Sequence, residues 1–371
     1  MVEPFRPKPR PLDKSHEEES TPFEDLLAAM LGKELVLHET EETYRIKKED
    51  LDRFRRFRDR TCITLGTAQT VPVYKEVMPK LGCEHAYLTH IVFAIVLMHD
   101  RYLSSRPWDA PSTAETFHHY HGTAIFNSML SNPIPEDEKD AMWGAAALLG
   151  ALTIASIDAS MPEEAWPLAA PSVSNLDWLR MSDGKKEVWR LAEPTREGSC
   201  WRPALLYEHK KDMQPPSVRK AEWEILYPTL MEVFRGDDSQ AERVTGAGPY
   251  HTALSIMSRL LPIQCTHSTV LFFLSFLGHM DTAYRDLLHG KDPKALVLLA
   301  WWYAKMLDYP VWWIQRRAML ECKAVCLYLQ RHYLQHTELM RLLEYPKIVC
   351  GLAVDPDYAG FVDQARSQAI T

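Results

Sequence analysis

The residues able to do acid–base or metal chemistry are scattered in this chain, not framed into motifs. A histidine run, HHYH, occupies 118–121. His118 and His121, three apart, would share a helical face. No carboxylate motif of the H-E-x-x-H kind accompanies them, so ordinary, partly exposed histidines are expected, and no metal. Asp237-Asp238 is the only adjacent Asp pair and sits in the loop-like FRGDDSQ. Without a second acidic set, magnesium-dependent ionisation of a diphosphate is unsupported. G-x-S-x-G, the P-loop and G-x-G-x-x-G are all absent, which weakens hydrolases, nucleotide enzymes and dinucleotide oxidoreductases. Seven cysteines, at 62, 83, 200, 265, 322, 326 and 350, form no C-x-x-C. A zinc cluster and a disulfide framework are both poorly supported. Reduced thiols in a cytoplasmic or nuclear protein are the simpler expectation, and no cofactor is expected.

What remains is aromatic area with a few polar tips. PKALVLLAWWYAKMLDYPVWWIQRR, residues 293–317, holds four of the eleven tryptophans as two adjacent pairs. Pockets for apolar ligands are built from such walls plus a small number of polar groups. The candidate pocket residues are Trp301, Trp302, Trp312, Trp313, Met98, and Phe272, Phe273 and Phe276 of the run VLFFLSFL. If the chamber does chemistry, His99, His267, His279 and Tyr303 are its candidate polar groups. Plain structural core is the competing reading of each tryptophan.

The elements that must position these residues read as helices. PFEDLLAAML (22–31) has Thr21 as a cap and Pro22 in its first turn. Further helices are expected over 84–103, 113–130, 137–157, 176–192, 221–235, 248–261 and 268–289. Small residues in the 137–157 helix, Gly144, Ala145, Ala146, Ala147, Gly150 and Ala151, would permit close helix contacts. RIKKEDLDRFRRFRDR (45–60) reads as a docked amphipathic helix, with Leu51, Phe54 and Phe57 inward. Asp292 can cap a helix whose stretch Ala295–Ala304 is apolar throughout and so buried all round. Tyr309-Pro310 breaks it. A second helix follows from about 311 to 333, with Val311, Ile314, Ala318, Cys322, Val325 and Leu329 on one face. Residues 162–175 and 193–220 read as loops. No run alternates strictly enough for a strand. The expected fold is all-α, a single multi-helix domain over 21–371 with a buried apolar ligand cavity, behind a disordered tail at 1–20.

Bulk properties agree with a globular protein. Apolar residues are 46% and charged residues 25% of the 371, and the net charge is -8. That balance leans against direct nucleic-acid binding. The first residues lack the apolar core of a secretory signal. Leu260–Met280 comes nearest to a membrane span, yet Pro262, Gln264, His267 and other polar groups favour a buried helix pair. No transmembrane segment is expected.

Four segments, in order, resemble one known family. VPVYKEVMPKLGCEHAYLTHIVFAIVLMHDRYL (71–103) is similar to the opening helices of the regulatory domain of fungal zinc-cluster transcription regulators. WPLAAPSVSNLDWLRMSDGKKEVWRL (166–191) resembles its middle segment, the tryptophan hairpin its helix-turn-W-W element, and EYPKIVCGL (344–352) its closing stretch. The likeness is nearest to the sterol-uptake-control subgroup. It implies an all-α ligand-binding domain with a sterol-like lipid among the C-terminal helices, and a possible homodimer. Two features depart from the family. The six-cysteine DNA-binding cluster is not in this sequence, and Gln315, Arg316 and Arg317 stand where a G-W-G stretch often follows the W-W pair.

Two functions therefore stand side by side. One is a regulator-type domain that binds a hydrophobic sterol- or terpenoid-like small molecule without reading DNA itself. The other is an enzyme of terpenoid or secondary-metabolite biosynthesis. It would use the same cavity for a metal-free cyclisation of Diels–Alder type or an isomerisation, holding a reactive conformer while a histidine or indole N–H polarises a carbonyl.

Overall fold

Fifteen α-helices, one short π-helix, two 3₁₀ turns and one small hairpin make up the regular structure of residues 22–38, 42–172, 174–212, 248–309 and 311–353, which the computed structural model describes. The tail 1–20, Thr21, the expected 221–235 helix and Asp237-Asp238 lie outside the described residues. The hairpin pairs β1 (Glu34–Val36) with β2 (Thr43–Arg45), antiparallel, Leu35 opposite Tyr44. It departs from the strand-free expectation because three-residue strands are too short to show an alternation.

The first half of the chain builds α1 (Pro22–Met30), α2 (Lys48–Arg56), α3 (Val71–Glu76), α4 (Met78–Glu84), α5 (Ala86–Tyr102) and α6 (Thr113–Met129). The basic run falls on α2 and the turn after it. Leu51, Phe54 and Phe57 are buried, while Arg55 and Arg56 reach outward to Glu24 and Asp100. Next come α7 (Lys139–Ala155), α8 (Asp177–Ala192) and α9 (Arg202–Asp212). The last of these interrupts the stretch expected to be loop. Beyond it lie α10 (His251–Leu260), α11 (Val270–Gly278), α12 (Thr282–His289), α13 (Pro293–Leu307), α14 (Trp312–Tyr333) and α15 (Thr337–Cys350). The single helix expected over 268–289 is two, because Asp281 accepts the Tyr284 amide at 2.8 Å and starts a new helix.

One continuous apolar core runs from Leu27 in α1 to Cys350 in α15. Within it α7 is the joint. It packs against α5 on one side and against α8 and α14 on the others. The tryptophan hairpin forms for the reasons its residues suggest. Asp292 accepts the Ala295 amide at 2.9 Å, and every residue from Ala295 to Met306 is buried. The face of α14 from Val311 to Leu329 is buried as its spacing requires.

Buried indoles need acceptors for their N–H groups, and these acceptors fix what surrounds the hairpin. Trp302 donates to the Phe273 carbonyl and Trp301 to the Leu342 carbonyl, each at 2.8 Å. Leu342 can accept because Pro346, four residues on, has no N–H to occupy its carbonyl. Trp312 donates to Thr64 Oγ1 at 2.8 Å and Trp313 to the Thr64 carbonyl at 3.4 Å. No helix among the described residues is long and apolar enough to cross a membrane.

Trp302 stacks between Phe276 and Trp178 with no exposure, so Trp302→Ala should cost about 3–5 kcal/mol in a urea titration. Loss of the cap in Asp292→Ala should cost about 1 kcal/mol. Equal, small effects from both would contradict this packing.

Candidate ligand-binding site

A pocket of about 370 Å³ opens between α7, α8 and α11. Its shape follows from helical spacing. Trp143, Ala147, Gly150, Ala151 and Ile154 fall on one face of α7. Met181, Ser182, Lys185 and Trp189 face it from α8, and Leu271, Leu274 and Leu277 from α11. Thr67, Thr70, Tyr74, Trp201 and Trp313 complete the lining. The three small residues of α7 leave the space that four indoles wall. Trp189 and Leu271 are 40% and 38% exposed, which puts them at the mouth, while Trp143, Trp201 and Trp313 are buried.

The walls are held from behind. Trp201 donates to the Asp140 carbonyl at 3.0 Å and packs edge-on to Tyr74. Asp140 in turn accepts from Ser199 Oγ at 2.8 Å, the Cys200 amide at 2.9 Å and Arg196 at 2.8 Å. Burial alone would raise the Asp140 carboxyl, but these donors outweigh it and hold the group below the usual range. Gly144 permits this packing, since a Cβ there would lie 2.5 Å from Met78 Sδ and 3.1 Å from the Trp201 ring. The Lys185 ammonium sits 5.3 Å over the Trp143 ring, and burial pushes it down. Among the described residues that line the pocket there is no carboxylate, histidine or thiol.

Trp313 is the one residue of the eight expected pocket residues that lines this space. Trp301, Trp302, Trp312, Phe273, Phe276 and Met98 lie in the packed core, and Phe272 is half-buried. Phe276 stacks on Trp302 of the hairpin, while Leu271, Leu274 and Leu277 line the pocket. Because α11 is apolar on every side, its composition alone cannot choose the face. The four polar candidates are also dispersed. His99 stacks on Trp312 at 4.5 Å and shares a hydrogen bond with Thr61 Oγ1 at 3.0 Å. Burial, helped by Arg60, lowers His99 to about 4. His267 is half-buried, and the exposed His279 rests 2.8 Å from the Ser275 carbonyl.

Tyr303 lies buried behind a second, polar cleft, which it does not line. Its hydroxyl donates to Glu321, whose other oxygen pairs with Arg317. Arg317 also donates to the Ile154 carbonyl at 2.9 Å and the Ser156 carbonyl at 2.6 Å, closing the end of α7. Burial pushes the Glu321 carboxyl up against the opposing pull of Arg317 and Tyr303. Trp178 lies against the Arg317 guanidinium at 4.8 Å, and its indole N–H has no acceptor among the described residues. Ser156, Trp178, Arg317 and Glu321 line a cleft of about 340 Å³ with Asp158, Glu164 and Trp166. Arg317, read only as a departure from a family pattern, is thus a central structural residue.

No family model matches this chain, and no curated protein does.

Two histidines of the HHYH run depart from the expected partial exposure, while His119 keeps it. His118 is 1% and His121 9% exposed, because α6 packs closely along α5. Gly122 makes that approach possible, since a Cβ there would stand 2.8 Å from Ile91 Cγ1. His118 Nδ1 lies 2.8 Å from Nδ1 of His90, so one ring donates and the other accepts. Burial lowers both, and each is lowered further by its positive neighbours, His121 for His90, and His90 and Arg53 for His118.

This pair makes stability acid-sensitive. In the unfolded chain each histidine takes up a proton near 6.5, whereas the fold resists it. The unfolded state therefore binds more protons below that pH, and stability is full above it and lost as pH falls. The slope should reach up to about 1.4 kcal/mol per pH unit for each histidine. Denaturant titrations between about pH 7 and about pH 5 should show it, reduced in His118→Leu. A slope unchanged by that substitution would contradict the assignment.

Proposed function

We propose that the chain binds a hydrophobic small molecule of sterol or terpenoid type in the pocket between α7, α8 and α11, as a regulator-type domain. The observation that carries this reading is the void beside Ala147, Gly150 and Ala151, walled by indoles and leucines and rimmed by few polar groups. Its volume of about 370 Å³ falls in the range of small-molecule sites. Thr67, Thr70, Ser182 and Lys185 offer hydrogen bonds to the single hydroxyl or carbonyl that such a molecule carries. A lining without acid, histidine or thiol suits binding better than turnover. The resemblance to the sterol-responsive regulators points the same way. Output would pass to a protein partner or a second copy of the chain, in cytoplasm or nucleus, with no direct contact to nucleic acid. Ligand would act through its differential affinity for two conformations.

A second reading, a metal-free cyclase or isomerase of terpenoid biosynthesis, is favoured by one observation. The indole N–H of Trp178 lacks an acceptor among the described residues, and it borders a cleft that also holds Tyr303's partner, Glu321. Such a donor can polarise a substrate carbonyl. Conversion of polyene precursors at the buffer rate for every compound tried would remove this reading.

The binding reading is tested by titrating the protein with a fluorescent sterol and following energy transfer from tryptophan. Ala147→Phe fills the pocket and should weaken binding by about tenfold or more, with the helical circular dichroism unchanged. Ligand at roughly 100 times its Kd should raise unfolding stability by about 2.7 kcal/mol. Sterols and terpenoids that neither transfer energy nor stabilise the fold would defeat the proposal.

A further inference from the structure

Three buried thiols meet where α14 and α15 pack. Cys322 and Cys326, one turn apart on α14, share a face. Cys350 ends α15 and comes to the same point. The three Sγ atoms all lie within 4.8 Å of one another, and each residue is at most 1% exposed. No other histidine, cysteine or carboxylate among the described residues joins them. Two backbone carbonyls stand near Cys322 Sγ, Ala300 at 3.7 Å and Pro346 at 3.9 Å.

Buried cysteines usually serve as small apolar side chains. Mutual approach of three is different, because sulfur atoms gathered this way match the demands of one ion. A metal about 2.3 Å from each sulfur sets them roughly 3.8–4.0 Å apart. The cluster reaches that spacing by contraction of less than about 1 Å. Its charge environment is suitable as well. Lys323 lies near Cys350 as a source of positive charge. Lys347, ion-paired with Glu344 at 2.6 Å, acts on Cys326 with its positive charge.

We propose that Cys322, Cys326 and Cys350 form a three-sulfur site for a soft, thiophilic divalent metal ion. Binding is an exchange of protons for metal without oxidation. Three S–H groups release three protons to solvent, and three thiolates with one divalent ion leave a single net negative charge. Lys323 and Lys347 supply the nearby positive charge that offsets it. Because all three sulfurs are buried and come from two helices, the site would tie α14 to α15. It lies apart from the apolar pocket and does not depend on the function proposed for that pocket.

Cadmium is the probe. The reduced full chain, titrated with cadmium chloride, should take up one ion per chain, develop sulfur-to-cadmium charge-transfer absorption, and give a cadmium NMR resonance in the range of three-sulfur ligation. Cys350→Ser should weaken binding by more than the ~100-fold seen for loss of an outer-shell partner, and abolish the absorption band. Cys265→Ser, which removes a buried cysteine outside the cluster, should keep both. Absence of the band, or its survival in Cys350→Ser, would overturn the proposal. Should that variant fail to fold, the resonance of the unmodified chain decides, and oxygen ligation or no resonance overturns it.

Discussion

A helix buried on all sides must match every neighbour at once, and α7 does so with alanine and glycine. Toward α4 and Trp201 its Gly144 admits a contact that a methyl group would block. Toward α8 and α11, Ala147, Gly150 and Ala151 are too small to fill the space between larger walls. Close packing is the rule in protein interiors, so a void lined by tryptophan and leucine needs walls that cannot collapse inward. Here the walls are tied. Trp201 is fixed through Asp140, and Trp313 through Thr64. The far end of α7 is closed by Arg317, itself paired with Glu321. A buried charge left without its partner is strongly destabilising, so this joint holds α7 in one place against α14.

The indole N–H groups organise the second half of the chain. Those of Trp301, Trp302, Trp312 and Trp313 end on carbonyls or a hydroxyl from α15, α11 and the turn at Thr64. The hairpin is therefore a scaffold into which distant segments dock, and the pocket borders it at Trp313. His99 fits the same logic. It stacks on Trp312 and shares Thr61, so it positions an indole and does not line the pocket.

Long elements with strong patterns were legible from the residues alone. The capped, apolar α13 and the one-faced α14 could be read directly, as could the helices around 84–103 and 113–130. Asp281 shows why one boundary was not. A short polar residue after Gly278 can be a surface position or a cap, and only the chain direction decides. The pocket's location was illegible for a related reason. Apolar helices such as α11 carry no periodicity that selects a face, so Phe273 and Leu274 are equivalent until packing separates them. The histidine pair and the thiol trio need residues from separate helices, His90 with His118 and Cys350 with Cys322. Spacing within one segment carries no trace of such meetings. The i, i+4 pair Cys322 and Cys326 was the available signal, and it lacked its third member until the fold supplied it.

The proposed function requires that the space beside α7 receive an apolar guest. Photo-crosslinking with a sterol that carries a diazirine on its ring system, followed by peptide mapping of the labelled chain, tests it most directly. Label is expected on the peptides that contain Ala147–Ile154, Met181–Trp189 and Leu271–Leu277, competed away by unlabelled sterol. Label confined to other surfaces, or label that unlabelled sterol does not displace, would contradict it.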